Sequence, residues 1–133
     1  RDHWRIHLHE IIADEIVIDG RRFEFLELPP AGNRGLRFHV DGEGGSTTVG
    51  ITGDSNFHAQ AIHFLRGTDL GVFDSGHLTD DEIVDLAVES GAPRLVCSHV
   101  YRELDLEALG ERARRRGYSG VLEMGHDLQS FGL

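Results

Sequence analysis

The order of short apolar segments constrains the fold of this 133-residue chain more than any other feature of its sequence. Before residue 52, such segments follow one another directly and are separated only by turn signals, such as Asp19-Gly20 and the glycines of residues 42–45. After residue 52, apolar segments alternate with segments of helical character. The chain is therefore predicted to be α/β, with strands in its first half and alternating strands and helices in its second half.

Eight strands and three helices are predicted. The strands lie at residues 4–9, 15–18, 22–28, 35–41, 47–52, 70–73, 94–97 and 121–124. The first helix is expected over 58–65, the second from a capping box at Thr79 and Glu82 to Gly91, and the third from Asp105 to Gly117. We expect a largely antiparallel sheet with the helices packed on one face.

Composition excludes several classes of protein. The chain has 23 acidic and 13 basic residues, and the net charge of −10 argues against non-specific binding to nucleic-acid phosphates. Its apolar segments are too short to cross a bilayer. Because Cys97 is the only cysteine, neither an internal disulfide nor a cysteine-rich zinc site can form, and a reducing compartment, the cytoplasm, is expected.

Polar residues cluster where three of the predicted strands end. These clusters read Gly-Asp-Ser at 53–55, Ser-Gly-His-Leu-Thr at 75–79 and Ser-His-Val-Tyr-Arg-Glu at 98–103. The ends of strands are where α/β proteins build sites, because the sheet fixes positions while the loops supply reactive groups. The three clusters are therefore the candidate functional segments of the chain.

The order and spacing of these clusters resemble the C-terminal half of metallo-β-lactamase-fold hydrolases, in the branch of phosphodiesterases and tRNA 3′-end-processing endonucleases. In that family, a Gly-Asp-Ser or Gly-Asp-Thr turn supplies an aspartate that bridges two metal ions, and Asp54 stands in such a turn. An apolar strand ending in Ser-His or Thr-His supplies a histidine ligand, which His99 resembles. His77-Leu78-Thr79 is similar to a His-Ser-Thr motif whose histidine lies near the scissile phosphate.

The resemblance implies a metal-dependent hydrolase that acts on a phosphodiester in a nucleotide, a cyclic nucleotide or RNA. Two divalent ions, with zinc expected and manganese as the alternative, would have Asp54 and His99 among their ligands and would polarise a phosphoryl oxygen. His77 would protonate the leaving oxygen or stabilise developing charge. Asp74 or Glu103 would orient the other ring nitrogen of His99.

One motif of the family is absent, the His-x-His-x-Asp-His signature that supplies most of the metal ligands. His7 and His9 copy two of its letters, but two isoleucines stand where Asp-His is required. Residues 1–133 are therefore expected to form a single domain that is the C-terminal half of the fold, and the start at Arg1 agrees with this expectation. The expected partner is the missing N-terminal half or a second copy of the chain, packed on the apolar face of the sheet.

Each candidate residue also has a purely structural interpretation. Asp54 could form a plain turn, His99 could be hydrogen-bonded within a packed loop, and His77 could simply lie beside a helix start. His126 and Asp127, in the turn after the last strand, have a weaker claim to a site. At the level of function, a non-catalytic binding or assembly module on the same fold remains open, as does a hydrolase of thioesters or lactones.

Overall fold

The computed structural model describes residue 10 and residues 13–132, which form one seven-stranded sheet and three helices. The strands are β1 (Glu15–Ile18), β2 (Arg21–Leu28), β3 (Asn33–Gly42), β4 (Gly45–Ile51), β5 (Leu70–Asp74), β6 (Arg94–Ser98) and β7 (Val121–Met124). The helices are α1 (Ala59–Leu65), α2 (Asp80–Ser90) and α3 (Leu106–Arg115). The α/β class and seven of the predicted strands are confirmed, whereas the strand predicted at 4–9 lies outside the described residues.

The strands lie side by side in the order in which they follow one another along the chain. β1 to β4 pair antiparallel, and β4 to β7 pair in parallel. Each parallel connection contains one of the three helices, because parallel neighbours need a crossover. The antiparallel pairings contain more residue pairs than the parallel pairings, because the antiparallel strands are mostly longer. The sheet is therefore largely antiparallel, as predicted. The carboxyl ends of β4 to β7 all meet at one edge of the sheet.

Local sequence signals set the turns and the helix ends. Asp19 and Gly20 both have positive φ, at 49° and 76°, as a tight hairpin turn between β1 and β2 requires. The capping box of Thr79 and Glu82 is present at the start of α2, and Gly91 ends that helix in the left-handed conformation. These contacts confirm the predicted start and end of α2, and each joins residues that are close together in the sequence.

The two faces of the sheet differ in what covers them. All three helices pack on one face, around a core that includes Phe73, Leu95 and Leu109. The other face carries a smaller apolar cluster, formed by Val49, Leu70 and Val96 and flanked by half-buried residues: Phe38, Val40, Ile51, Val72 and Phe131. No residue of α1, α2 or α3 belongs to this second cluster. We call the face of the sheet that carries this cluster the open face. The helices lie on the other face only, as predicted.

Three neighbouring strands carry a glycine beneath α1. A Cβ atom on Gly35 would lie 3.1 Å from the Phe64 ring, and one on Gly71 would lie 3.0 Å from Leu65 Cδ2. A Cβ atom on Gly50 would lie 2.8 Å from Cγ2 of Thr68, directly after the helix. The absence of side chains at these positions lets α1 approach the backbone of the sheet.

Buried polar groups of the core are accounted for. Cys97 is fully buried, and its burial raises the pKa of the thiol to about 12, so it is a core residue and not a nucleophile. Tyr118 is also buried, and its hydroxyl donates to the carbonyl oxygens of Ala92 and Val121. None of the helices in the described part of the chain is long and apolar enough to cross a membrane.

Gly71→Ala is expected to lower the free energy of unfolding by about 1–3 kcal/mol, because overpacking a filled core forces neighbours to shift. The new methyl group would lie 2.8 Å from Leu95 Cδ2, and both Leu95 and Leu65 are fully buried. Urea unfolding measures the change. Gly44→Ala is the matched control, since a Cβ atom there meets nothing within 4 Å. Equal stability of the two variants would show that α1 does not depend on this close approach.

Candidate metal centre

The candidate site lies where three parallel strands end. Asp54 follows β4, Asp74 is the last residue of β5, and His99 directly follows β6. His77 lies in the loop between β5 and the start of α2. Because β4, β5 and β6 are adjacent and parallel, their carboxyl ends bring these four side chains to one edge of the sheet.

The four side chains form one compact cluster. One ligand atom from each, a carboxylate oxygen or an imidazole nitrogen, lies within 4.8 Å of all the others. His77 Nδ1 is 2.6 Å from Asp74 Oδ2 and 2.9 Å from Asp54 Oδ1. His99 Nδ1 is 3.4 Å from Asp74 Oδ2 and 3.8 Å from Asp54 Oδ1. Both imidazoles therefore turn the same nitrogen toward the same two carboxylates.

Asp74 is the buried centre of the cluster, and its side chain is 0% exposed. Its Oδ1 accepts hydrogen bonds from the backbone amides of Gly76, at 2.8 Å, and His77, at 3.3 Å. Burial raises the pKa of Asp74, but the hydrogen bonds from the His77 imidazole and the Gly76 amide outweigh it, and the pKa lies below its ordinary value. Asp74 therefore places a fixed negative charge beneath the two imidazoles.

The pKa of His77 is raised from its ordinary value of 6.5. The largest cause is the hydrogen bond with Asp74, and the charges of Asp74 and Asp54 act in the same direction against partial desolvation. The pair resembles the carboxylate–imidazole pairs that hold a catalytic histidine in one orientation.

Hydroxyl groups tie the three strand ends together. Thr52 Oγ1, at the end of β4, accepts from the Asp74 amide at 3.2 Å. Ser75 Oγ donates to the Ser98 carbonyl at 2.8 Å, and Ser98 Oγ donates to the Phe73 carbonyl at 2.9 Å. These bonds fix the spacing of the loops that carry the site.

Two residues of the site loops have left-handed backbone conformations. Gly53, before Asp54, has φ of 68°, and a Cβ atom there would lie 2.9 Å from Asn33 Oδ1. His99 has φ of 56° without being a glycine. Such a conformation costs about 1–3 kcal/mol and persists where the surrounding structure enforces it. A non-glycine residue in this conformation at a strand end is a common mark of a functional position.

The structure brings together the three residues that the sequence predicted, Asp54, His77 and His99. Asp74 was expected only as an orienter of His99, and its shortest side-chain contact is with His77 instead. The other expected orienter, Glu103, forms no ion pair with His99 within the described residues. Its side chain belongs to the loop surface. The signal that could have identified Asp74 is a carboxylate at the end of a fully buried strand, three residues before a histidine.

His126 and Asp127 lie at the end of β7, next to β6. They do not belong to the four-residue cluster of the described chain, but they line a cavity of about 450 Å³ together with His99 and Gln129. His39 is hydrogen-bonded to Thr48, and His58 caps the start of α1, as their structural interpretation requires. His3, His7 and His9 lie outside the described residues.

The donor set fits a divalent metal ion. Aspartate oxygens and histidine nitrogens are ligands of zinc, and manganese also accepts carboxylates and imidazoles. Asp54 is 62% exposed at its side chain, and His77 and His99 are about one third exposed, so the cluster is reachable from solvent. Asp74, beneath them, supplies buried negative charge.

A comparison with solved structures identifies the architecture. The chain is similar to the metallo-beta-lactamase fold protein YhfI from Bacillus subtilis, with a TM-score of 0.63 and 22% sequence identity. The chain has a metallo-β-lactamase fold. The match covers 84% of this chain and 49% of YhfI, so the chain spans about half the length of that protein. No protein-family model matches the sequence, and no curated protein matches it.

Asp74→Asn is expected to lower the pKa of His77 toward its ordinary value, because the hydrogen bond with Asp74 is the largest cause of the increase. A protonated His77 stabilises the wild-type fold below pH 6.5, and this stabilisation is lost as the pH rises through the raised pKa. In the variant, the free energy of unfolding should therefore no longer show the part of its pH dependence that comes from His77. NMR titration of the imidazole with EDTA present, together with urea unfolding at several pH values, measures both effects.

Asp54→Asn is the matched control for this substitution, because Asp54 is mostly exposed and its charge is the weakest cause of the increase. It should lower the pKa of His77 by less than Asp74→Asn does. An unchanged His77 pKa in the Asp74 variant would contradict the assignment of these two residues as a pair.

Proposed function

We propose that the chain is part of a metal-dependent hydrolase of the metallo-β-lactamase superfamily, which cleaves a phosphodiester in a nucleotide, a cyclic nucleotide or RNA. The observation that carries the proposal is the cluster of two carboxylates and two imidazoles within 4.8 Å, at the strand ends of a metallo-β-lactamase fold. The similarity of residues 77–79 to the His-Ser-Thr motif supports a phosphodiester as the substrate. Hydrolysis of a thioester or a lactone is the alternative on the same fold.

Asp54 and His99 are the proposed metal ligands. Asp54 is the most exposed member of the cluster and has a carboxylate that can bridge two ions, while His99 offers a nitrogen on the same side. When bound, divalent ions polarise a phosphoryl oxygen and lower the pKa of a coordinated water. We expect zinc, with manganese as the alternative, and two ions in a complete site.

His77 is the proposed catalytic residue. Its Nδ1 is engaged by Asp74 and Asp54, so Nε2 is the nitrogen left to face a substrate. Its raised pKa keeps more of the imidazole protonated near neutral pH, and a protonated imidazole can donate to the leaving oxygen of a phosphodiester. Asp74 has the role of holding this imidazole in one orientation.

We further propose that residues 1–133 are one domain that works as one half of a two-sheet sandwich. Two observations support this proposal: the open face carries half-buried apolar side chains such as Phe38 and Val72, and the match to YhfI covers half of that protein. The second sheet would come from an N-terminal segment or from a second copy of the chain. An N-terminal segment would also supply the ligands that the His-x-His-x-Asp-His signature provides in the family, whereas a second copy of the chain lacks that signature.

Asp54→Ala and His99→Ala are expected to reduce zinc binding by the chain, whereas His77→Ala should leave it unchanged, because only the first two are proposed ligands. Elemental analysis after equilibrium dialysis against a fixed concentration of zinc measures the metal content, so that weak binding is also detected. The wild-type chain itself should hold zinc weakly, since few ligands leave most coordination positions to water. A pair of tightly held ions in the isolated chain would contradict the proposed division of the site.

In the protein that contains both sheets, His77→Ala should lower the turnover of bis(p-nitrophenyl) phosphate by about 10²–10⁴-fold at unchanged metal content. Asp54→Ala should lower both quantities. A thioester and a lactone are assayed beside the phosphodiester. Preferential turnover of either would reject the proposed substrate class, and no turnover at full metal content would favour a non-catalytic module.

Val72→Asp is expected to weaken association on the open face, because it places a charge in the middle of the apolar cluster. Light scattering in dilute solution should show the wild-type chain bound to a copy of itself or to a second polypeptide, and the variant as a monomer. Val17→Asp is the control, since Val17 is 62% exposed on β1 and lies outside this cluster. A wild-type monomer that unfolds cooperatively would overturn the two-sheet proposal.

A further inference from the structure

Tyr101 lies against the candidate metal centre, although the proposed function does not use it. The residue is 68% exposed, yet its hydroxyl is hydrogen-bonded to Nε2 of His99. Its ring stands edge-on to both imidazoles, with ring centres 4.4 Å from His99 and 5.8 Å from His77. Tyr101 is thus an exposed aromatic residue whose polar atom is bonded to a candidate metal ligand.

The absence of a side chain on Gly76 leaves the space that the Tyr101 ring occupies. A Cβ atom on Gly76 would lie 2.6 Å and 2.9 Å from two carbons of the Tyr101 ring, so the ring rests directly on the glycine. The same absent side chain leaves room for the carbonyl oxygen of His99. The loop after β5 and the loop after β6 are therefore packed together through Tyr101.

The two ring nitrogens of His99 face different partners. Nδ1 faces the carboxylates, 3.4 Å from Asp74 Oδ2 and 3.8 Å from Asp54 Oδ1, and Nε2 faces the Tyr101 hydroxyl. A hydroxyl both donates and accepts hydrogen bonds. It donates to Nε2 when the proton of the imidazole is on Nδ1, and it accepts from Nε2 when the proton is there. Tyr101 can thus hold the ring in either tautomer.

We propose that Tyr101 is a positioning residue for His99, whose hydroxyl holds Nε2 so that an unprotonated Nδ1 is turned toward a divalent ion shared with Asp54. The inference rests on the metal site of the proposed function. Metal-binding histidines are usually held through their other ring nitrogen by a second group, and removal of that group commonly costs 10–100-fold in metal affinity. Here the second group is a phenol from the same loop.

The test compares the wild-type chain with Tyr101→Phe, which removes only the hydroxyl. Affinities for Zn²⁺ and Co²⁺ are measured by competition with a chromogenic chelator, and the visible spectrum of bound Co²⁺ reports its ligand geometry. We expect affinity to fall by about 10-fold or more, with an altered Co²⁺ spectrum and an unchanged thermal unfolding midpoint in EDTA. Tyr101→Ala, which also removes the ring from Gly76, should weaken binding further.

Thr48→Val is the matched control. Thr48 Oγ1 lies 3.0 Å from Nδ1 of His39 on the paired strands β3 and β4, so this variant also removes a hydroxyl bonded to an imidazole. His39 is not part of the metal centre. Metal affinity and the Co²⁺ spectrum should both remain those of the wild type.

A second measurement uses the metal-free chain, in which ¹⁵N chemical shifts of His99 report the tautomer of its ring. In the wild type the hydrogen bond from Tyr101 should displace the ¹⁵N shift of Nε2, and Tyr101→Phe should remove that displacement, whichever tautomer the ring adopts. If the wild type binds no metal, the proposed function fails, and this measurement still decides the positioning role. Unchanged ¹⁵N shifts, or equal metal binding in Tyr101→Phe, would overturn the inference. Tighter metal binding in Tyr101→Phe would also overturn it, because the hydroxyl would then compete with the ion for Nε2.

Discussion

The buried carboxylate of Asp74 is the interaction on which both the fold and the site depend. It ends β5, which lies between the parallel strands β4 and β6, and its charge is compensated by two backbone amides and the His77 imidazole. A buried charge without such partners would be strongly destabilising. The loop from β5 to α2 must therefore close around Asp74, and this closure places His77 beside the ends of β4 and β6. The contacts that compensate this buried carboxylate are therefore the same contacts that place His77 in the site.

The other three side chains of the site are each held by a different feature of the structure. His77 is held by a carboxylate, His99 by its loop and by Tyr101, and Asp54 by the turn at Gly53. Side-chain exposure is lowest at Asp74, about one third at the two imidazoles, and highest at Asp54. The site therefore presents its most exposed carboxylate, Asp54, to a ligand, while the charge of Asp74 is compensated in the interior.

Local signals in the sequence were sufficient to predict most elements of the fold. The capping box of Thr79, the glycine at 91 and the turn at Asp19-Gly20 act through bonds between near neighbours, so they can be recognised without tertiary information. The predicted site residues were recognisable because each follows a strand in a motif of fixed spacing. By contrast, the central position of Asp74 depends on which strands are adjacent, and the contact of Tyr101 with His99 depends on a left-handed backbone. Neither property is encoded in a local pattern.

The glycines beneath α1 have a consequence for the segment that carries Asp54. This segment, residues 52–58, is tethered at one end by β4 and at the other by a helix that lies almost on the backbone of the sheet. Ser55 within it is buried, and the Asn56 amide donates to the Pro29 carbonyl. The most exposed carboxylate of the cluster therefore lies on a short segment that is anchored at both ends. Its side chain can rotate to meet an ion, but its backbone has little freedom to move away from one.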